Sequence, residues 1–115
     1  MIARANRFHG HGSLRYLYSR GKTVRAEQLA LRFIINNNRE TWRLAIIVSK
    51  KVHKSAIVRN RIRRRLYEII RLHQDKIDKP YDMALTVFSP SLQDIDYLEL
   101  ESITVDLLKK ADIIS

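Results

Sequence analysis

The residues best equipped for chemistry in this 115-residue chain are cations, and they are crowded together. Between Lys50 and Arg65 stand Lys50, Lys51, Lys54, Arg59, Arg61, Arg63, Arg64 and Arg65, with no Asp or Glu among them. Guanidinium groups form paired, charge-assisted hydrogen bonds with phosphate oxygens, and lysines add point charges. The chemistry on offer is recognition of a polyanion. Catalysis has far less to draw on, because acid–base or metal-assisted hydrolysis needs carboxylates or His converging in a cleft. The only acids in residues 1–79 are Glu27, Glu40, Glu68, Asp75 and Asp78, and three of these fall in or beside expected turns. Asp94 and Asp96 read as helix caps. His9 and His11 are two apart with no third ligand nearby, so no metal site is expected. The chain contains no glycine-rich phosphate loop, no G-x-S-x-G elbow and no H-E-x-x-H. It reads as a binder without catalytic residues of its own.

These cations need an element to display them, and the sequence supplies one. Val58, Ile62, Leu66, Ile69 and Ile70 recur at helical spacing through the basic run. At about 100° per residue they fall within one arc roughly 120° wide. Asn60, Arg61, Arg63, Arg64, Tyr67, Glu68 and Arg71 take the other side. Ser55 is placed to cap the first turn, so a helix is predicted from about Ser55 to His73. A solvated helix face usually mixes charge signs to gain i,i+4 pairs. The charged residues of this face are Arg apart from Glu68, which favours a polyanion surface.

Composition sets the frame. Hydrophobic residues make up 45% of the chain and Gly and Pro are few, as in a folded domain. One domain over 1–115 is expected, with residues 1–12 as a flexible basic arm. The formal charge is +10, unevenly spread. Residues 1–79 hold 20 Lys and Arg against 5 Asp and Glu, whereas residues 80–115 hold 2 against 7. The C-terminal segment should therefore turn away from the polyanion. The absence of cysteine excludes disulfides and thiolate metal sites. With no apolar run behind the first basic residues and no span of 18 apolar residues, a cytoplasmic protein without a membrane partner is expected.

Taken in order, Ser13 opens a short helix, SLRYLYSR, closed by Gly21, with Leu14, Leu17 and Tyr18 on one face. Gln28 to Ile35 alternates as a strand, with Leu29, Leu31, Phe33 and Ile35 on one face and Ala30, Arg32 and Ile34 on the other. A turn over Asn36 to Thr41 leads to a second strand, Arg43 to Ser49, and the two are expected to form a hairpin. After the basic helix, Tyr81 to Ser89 forms a buried strand stopped by Pro90. Asp94 or Asp96 caps a last helix whose core face is Leu100, Ile103, Leu107 and Leu108. The order α-β-β-α-β-α implies an α+β fold, a two-layer α/β sandwich of one sheet with helices packed on it.

The partner is better read as RNA than DNA. A basic helix that enters the major groove usually belongs to an all-helical bundle. A sheet with aromatics beside basic residues suits single-stranded RNA, whose bases stack on exposed rings. Tyr16, Tyr18 and Phe33 are the candidate rings.

The segment VSKKVHKSAIVRNRIRRRLYE resembles the protein component of bacterial ribonuclease P. That family has a strand ending in Ser-Lys-Lys, a short loop, and a helix bearing Arg-Asn-Arg-Ile followed by two basic residues. Here these are Ser49-Lys50-Lys51, Arg59-Asn60-Arg61-Ile62 and Arg63-Arg64. The similarity extends to Asn6-Arg7, Gly21, Tyr81-Asp82 and Leu107-Leu108, and so covers nearly the whole chain.

The resemblance implies an accessory subunit of an endoribonuclease whose catalyst is RNA. Such a holoenzyme removes the 5′ leader from precursor tRNA, using Mg²⁺ held mainly by the RNA. It implies that Lys50, Lys51, Lys54, Arg59, Asn60, Arg61, Arg63 and Arg64 bind the catalytic RNA. It further implies a cleft between the first helix and one sheet face for the single-stranded leader, with Leu14, Tyr18 and Arg32 as its residues. Precursor tRNA and the catalytic RNA are the implied partners, with no obligate protein partner. A left-handed β-α-β crossover is implied too, against the usual right-handed preference. Three positions depart from the family pattern. Leu14 stands where an aromatic is common and Tyr67 where a basic residue is common. Arg65 takes a usually apolar place, from which its stem could pack and its head reach solvent. The alternatives are a ribosomal or assembly factor that binds RNA structurally, and a DNA-binding regulator.

Overall fold

The structure, a computed structural model, describes residues 3–8 and 11–115. Of residues 11–13 it describes the backbone only, so the His9–His11 pair considered above lies outside the described side chains. Three helices, α1 (His11–Arg20), α2 (Ala56–His73) and α3 (Tyr97–Lys110), accompany four strands, β1 (Lys22–Arg25), β2 (Leu29–Ile35), β3 (Arg43–Ile47) and β4 (Tyr81–Val87). The sequence order is α-β-β-β-α-β-α, one strand more than expected. The strands lie side by side as β1-β2-β4-β3. β1 and β4 run antiparallel to β2, while β3 runs parallel to β4.

Two expectations are thereby corrected. β2 and β3 do not form a hairpin, because β4 lies between them, pairing Leu31 with Leu85 on one side and Leu85 with Ile46 on the other. β4 is the strand buried along almost its whole length, so it takes an interior place and leaves β3 at an edge. The hairpin partner of β2 is instead β1, joined through a turn in which the Ala26 amide donates to the Leu29 carbonyl at 2.8 Å. β1 reads KTVR, an exposed edge strand without hydrophobic alternation, its two terminal cations blunting the free edge.

The sheet separates two apolar clusters. Leu29, Leu31, Leu44, Ile46, Met83 and Leu85 face Ile62, Leu66, Ile69 and Ile70 of α2 and Leu100, Leu107 and Leu108 of α3. The four α2 side chains are fully buried, and each such burial stabilises by roughly 1.5–3 kcal/mol. Phe8, Leu17 and Ala84 form a smaller cluster with Leu14, Ile34, Ala45 and Ile47. The alternation along β4, with Ala84 between Met83 and Leu85, puts this second cluster on the opposite face. The expected two layers account for the sheet with α2 and α3; α1 packs across the other face, covering it only in part.

The ends are fixed by identifiable contacts. Ser55 caps α2, its hydroxyl accepting from the Val58 amide at 3.4 Å, and Asp96 rather than Asp94 caps α3. α1 begins at His11, two residues before Ser13. Gly21 ends it, with its amide on the Leu17 carbonyl at 2.8 Å. A Cβ there would lie 2.5 Å from the Leu17 oxygen and 2.9 Å from the Phe33 oxygen, so only glycine allows this approach of α1 to β2. Residues 3–8, expected as part of an arm, are fastened down. Asn6 is buried and donates to the Trp42 carbonyl at 2.8 Å, Phe8 is buried, and Arg7 bridges to Leu44 on the β3 edge. Beneath them, buried Arg43 and Asp82 pair through two 2.8 Å bonds, with Asn36 donating to the same carboxylate. The Arg43 guanidinium also lies 4.3 Å from the centre of the Phe8 ring.

Candidate nucleic-acid interface

The loop Ser49–Ser55 joins β3 to α2 at the C-terminal end of β3 and delivers three lysines to the surface. Lys50, Lys51 and Lys54 are exposed, as are Asn60, Arg61 and Arg64 of the first turns of α2. Burial of Ile62 and Leu66 on the sheet side fixes the azimuth of the helix and turns these groups outward. Six of the eight residues assigned to RNA binding therefore share one solvent-facing region. The other two, Arg59 and Arg63, are half-buried and differently engaged. One Arg59 nitrogen donates to the carbonyls of His53 at 3.0 Å and Lys54 at 2.9 Å. Arg63 donates to the Val48 carbonyl at 3.2 Å and to Asn60 Oδ1 at 2.7 Å.

Two further α2 residues depart from expectation. Arg65 is half-buried, and its head is taken up by the protein rather than left free. It donates to the carbonyls of Leu92 at 2.7 Å and Ile95 at 2.5 Å, pinning α2 to the segment between β4 and α3. Those carbonyls cannot be anticipated from the helix pattern. Tyr67 is half-buried, and burial raises the pKa of its phenol, against the lowering effects of a backbone hydrogen bond with Ile46 and the charges of Arg7 and Arg63. With Phe8 N–H on Leu44 O and Arg63 on Val48 O, Tyr67 helps to satisfy the free edge of β3. Where a basic residue would reach for phosphate, this chain closes a sheet edge.

A second candidate surface lies on the α1 face of the sheet. A groove of about 350 Å³ is lined by Tyr18, Thr23, Arg25, Ala30, Arg32, Thr86 and Phe88. Tyr18 is 44% exposed and Phe88 47% exposed, so two rings are available beside two cations. Arg32 reaches the C-terminal end of α1. It donates to the Leu17 carbonyl at 3.2 Å, to Thr23 Oγ1 at 2.7 Å and to the Tyr18 carbonyl. A cation there also complements the negative end of the helix. Arg32 thus fastens α1 over the sheet and frames the groove. Leu14 does not line this groove; it packs half-buried in the small apolar cluster under α1.

Of the other candidate rings, Tyr16 is exposed on α1 away from the groove lining. Phe33 lies on the α3 side of the sheet, edge-on to Tyr81 with ring centres 6.4 Å apart, and borders a separate cavity of about 580 Å³. Phe88 and Arg25 are the residues sequence reasoning missed. Phe88 was expected inside a buried strand running to Ser89, but the strand ends at Val87. Pro90, which has no N–H to donate, stops the ladder but does not fix its end three residues earlier. Arg25 lies on the strand that was itself overlooked.

Among the described residues, no group of three or more His, Asp or Glu is arranged to hold a metal ion, and no helix is long and apolar enough to cross a membrane.

The fold and its surfaces define an α+β protein that presents a basic helix face and, across the sheet, an aromatic groove. Sequence comparison gives the family. The profile of the Ribonuclease P family matches residues 2–112. The ribonuclease P protein component of Alkaliphilus metalliredigens is 34% identical over 110 residues, covering 96% of each chain. That of Clostridium botulinum is 38% identical over 109 residues, covering 94% of this chain and 96% of its own. The Staphylococcus aureus RNase P protein superposes with a TM-score of 0.86 at 25% identity, over 97% of this chain and all of that one. The Thermotoga maritima RNase P protein shares the fold, with a TM-score of 0.80 at 23% identity, over 90% of this chain and 96% of its own. The chain belongs to the ribonuclease P protein family. It is the protein subunit of that ribonucleoprotein endoribonuclease, which acts in tRNA processing.

Proposed function

We propose that the chain acts as a single cytoplasmic domain that joins two RNAs. The loop and α2 face, built from Lys50, Lys51, Lys54, Arg59, Asn60, Arg61, Arg63 and Arg64, takes the catalytic RNA. The groove framed by Tyr18 and Arg32, with Phe88 and Arg25 added and Leu14 supporting α1 from beneath, takes the 5′ leader of precursor tRNA. The observation that carries this reading is the convergence of six exposed basic or amide side chains on one region, beside a β3 edge already closed by other groups. Dense cations without acids favour phosphate, and exposed rings favour unpaired bases.

As the family resemblance implies, the Mg²⁺ of the holoenzyme is held mainly by the RNA component. Such ions would supply Lewis-acid activation of a water and of the leaving oxygen. The protein's own share is to bind and orient, with the left-handed hand of the β3-α2-β4 crossover retained as the family implies.

Single-turnover cleavage of a 5′-extended precursor tRNA at low Mg²⁺ tests the reading, with the catalytic RNA alone, the protein alone, and both together. Strong stimulation is expected only with both. Tight RNA binding without stimulation would favour a structural RNA-binding role instead.

A further inference from the structure

The eight cationic and amide residues of the α2 surface are not equivalent. Arg59 and Arg63 lie four apart, both half-buried, and each donates to backbone oxygen at one end of the loop. Arg63 holds the start of the β3–α2 loop through Val48, and Arg59 holds its end through His53 and Lys54. Two more bonds reinforce the loop, one at each end. The Ser55 amide donates to His53 Nδ1 at 3.0 Å, and the Ser49 carbonyl accepts from the Val52 amide at 3.0 Å. Arg61 and Arg64, by contrast, are exposed and show no hydrogen bond to another described residue.

We infer that Arg59 and Arg63 are positioning residues, which hold Lys50, Lys51 and Lys54 in place for the catalytic RNA, while Arg61 and Arg64 meet phosphate directly. The inference rests on the proposed RNA-binding role of this face. Its physical basis is that a lysine on a loose loop loses side-chain and backbone freedom on binding, whereas a lysine on a tied loop has lost the backbone part already. Arg63 has a second effect. By bonding Asn60 Oδ1 it leaves the Asn60 amide NH₂ as the free end, a donor suited to a phosphate or 2′-hydroxyl oxygen.

A double-mutant cycle in the assembled complex tests this, measuring affinity for the cognate catalytic RNA. Lys54→Ala is combined with Arg59→Ala in one cycle and with Arg61→Ala in the other. If Arg59 acts through the loop, the first pair is markedly less than additive, and the second adds within about twofold. Amide hydrogen exchange on the RNA-free protein supplies an independent readout. Residues 50–54 should exchange at least several-fold faster in Arg59→Ala and in Arg63→Ala, and at the parent rate in Arg61→Ala. Arg61→Ala should also make the salt dependence of log affinity shallower by about 0.9, the loss of one phosphate contact treated like B-DNA. Additive losses for Arg59 and Lys54, with loop exchange unchanged, would overturn the inference and make Arg59 a direct contact. Failure of the underlying reading looks different. Arg61→Ala and Arg64→Ala would then leave both affinity and salt slope at parent values, overturning the placement of RNA on this face and the positioning role with it.

Discussion

The loop-and-helix surface of α2 and the groove under α1 lie on opposite faces of one sheet and are built on different physics. The α2 surface stands on a large core: Ile62, Leu66, Ile69 and Ile70 are fully buried, and its functional side chains are long, charged and mostly exposed. The groove stands on a small cluster around Leu17 and Ala84, and its chemistry lies in two half-exposed rings. Charge acts at a distance and tolerates imprecise placement, within a Debye length of about 8 Å at physiological salt. Stacking needs contact. The groove therefore depends more on how α1 is held, and the sheet holds it through Gly21, Leu17 and the two Arg32 donors that reach the Leu17 and Tyr18 carbonyls.

Substitutions can break this division or sharpen it. The largest effect should come from beneath both surfaces. Asp82→Ala leaves Arg43 buried without its carboxylate, and should destabilise the fold by roughly 3–5 kcal/mol, read by chemical denaturation. Both RNA-binding functions should fall together as the folded fraction falls. Tyr18→Ala and Phe88→Ala should each weaken precursor tRNA binding by the holoenzyme by about 1–3 kcal/mol, the range for a lost base stack. Affinity for mature tRNA and for the catalytic RNA should stay unchanged, so equal losses for precursor and mature tRNA would remove the leader from this groove. Replacing both Arg61 and Arg64 with Ala should lower the salt slope for the catalytic RNA by about 1.8, leaving leader discrimination intact. The smallest effect belongs to Glu68, beyond the basic cluster on α2. Its hydrogen bond to Arg71 holds the carboxyl below the usual range, so its contribution is present above the ordinary carboxylate pKa and fades as pH falls through the lowered value. Glu68→Gln should make the melting temperature slightly less sensitive to acid, and should leave RNA binding at neutral pH unaltered.

The α2 surface was largely legible from sequence because its signals agree. A cap at Ser55, a helical apolar period and a run of like charge all specify the same helix and the same exposed face. The groove was half legible. Tyr18 and Arg32 were found, but β1 escaped because KTVR gives an edge strand no buried side to reveal by alternation. Phe88 was hidden in an apolar run that continues past the strand's true end. The pairing of β2 with β4 was missed for a different reason. Local pattern identifies strands, yet which strand takes the middle of the sheet depends on burial along its full length. The fates of the arginines are the finest detail. Spacing does separate Arg59 and Arg63 from Arg61 and Arg64 on the helix, but the carbonyls that capture the first two come from the preceding loop, and those that capture Arg65 come from 27 and 30 residues further along.

The most direct test of two surfaces for two RNAs is site-specific photocrosslinking in the assembled holoenzyme bound to a precursor tRNA. A photoreactive phenylalanine analogue would replace Arg61 in one preparation and Phe88 in another. The account predicts that position 61 crosslinks to the catalytic RNA and position 88 to the 5′ leader, the second signal disappearing with mature tRNA. Crosslinks from both positions to the same RNA, or leader crosslinks from position 61 alone, would contradict it.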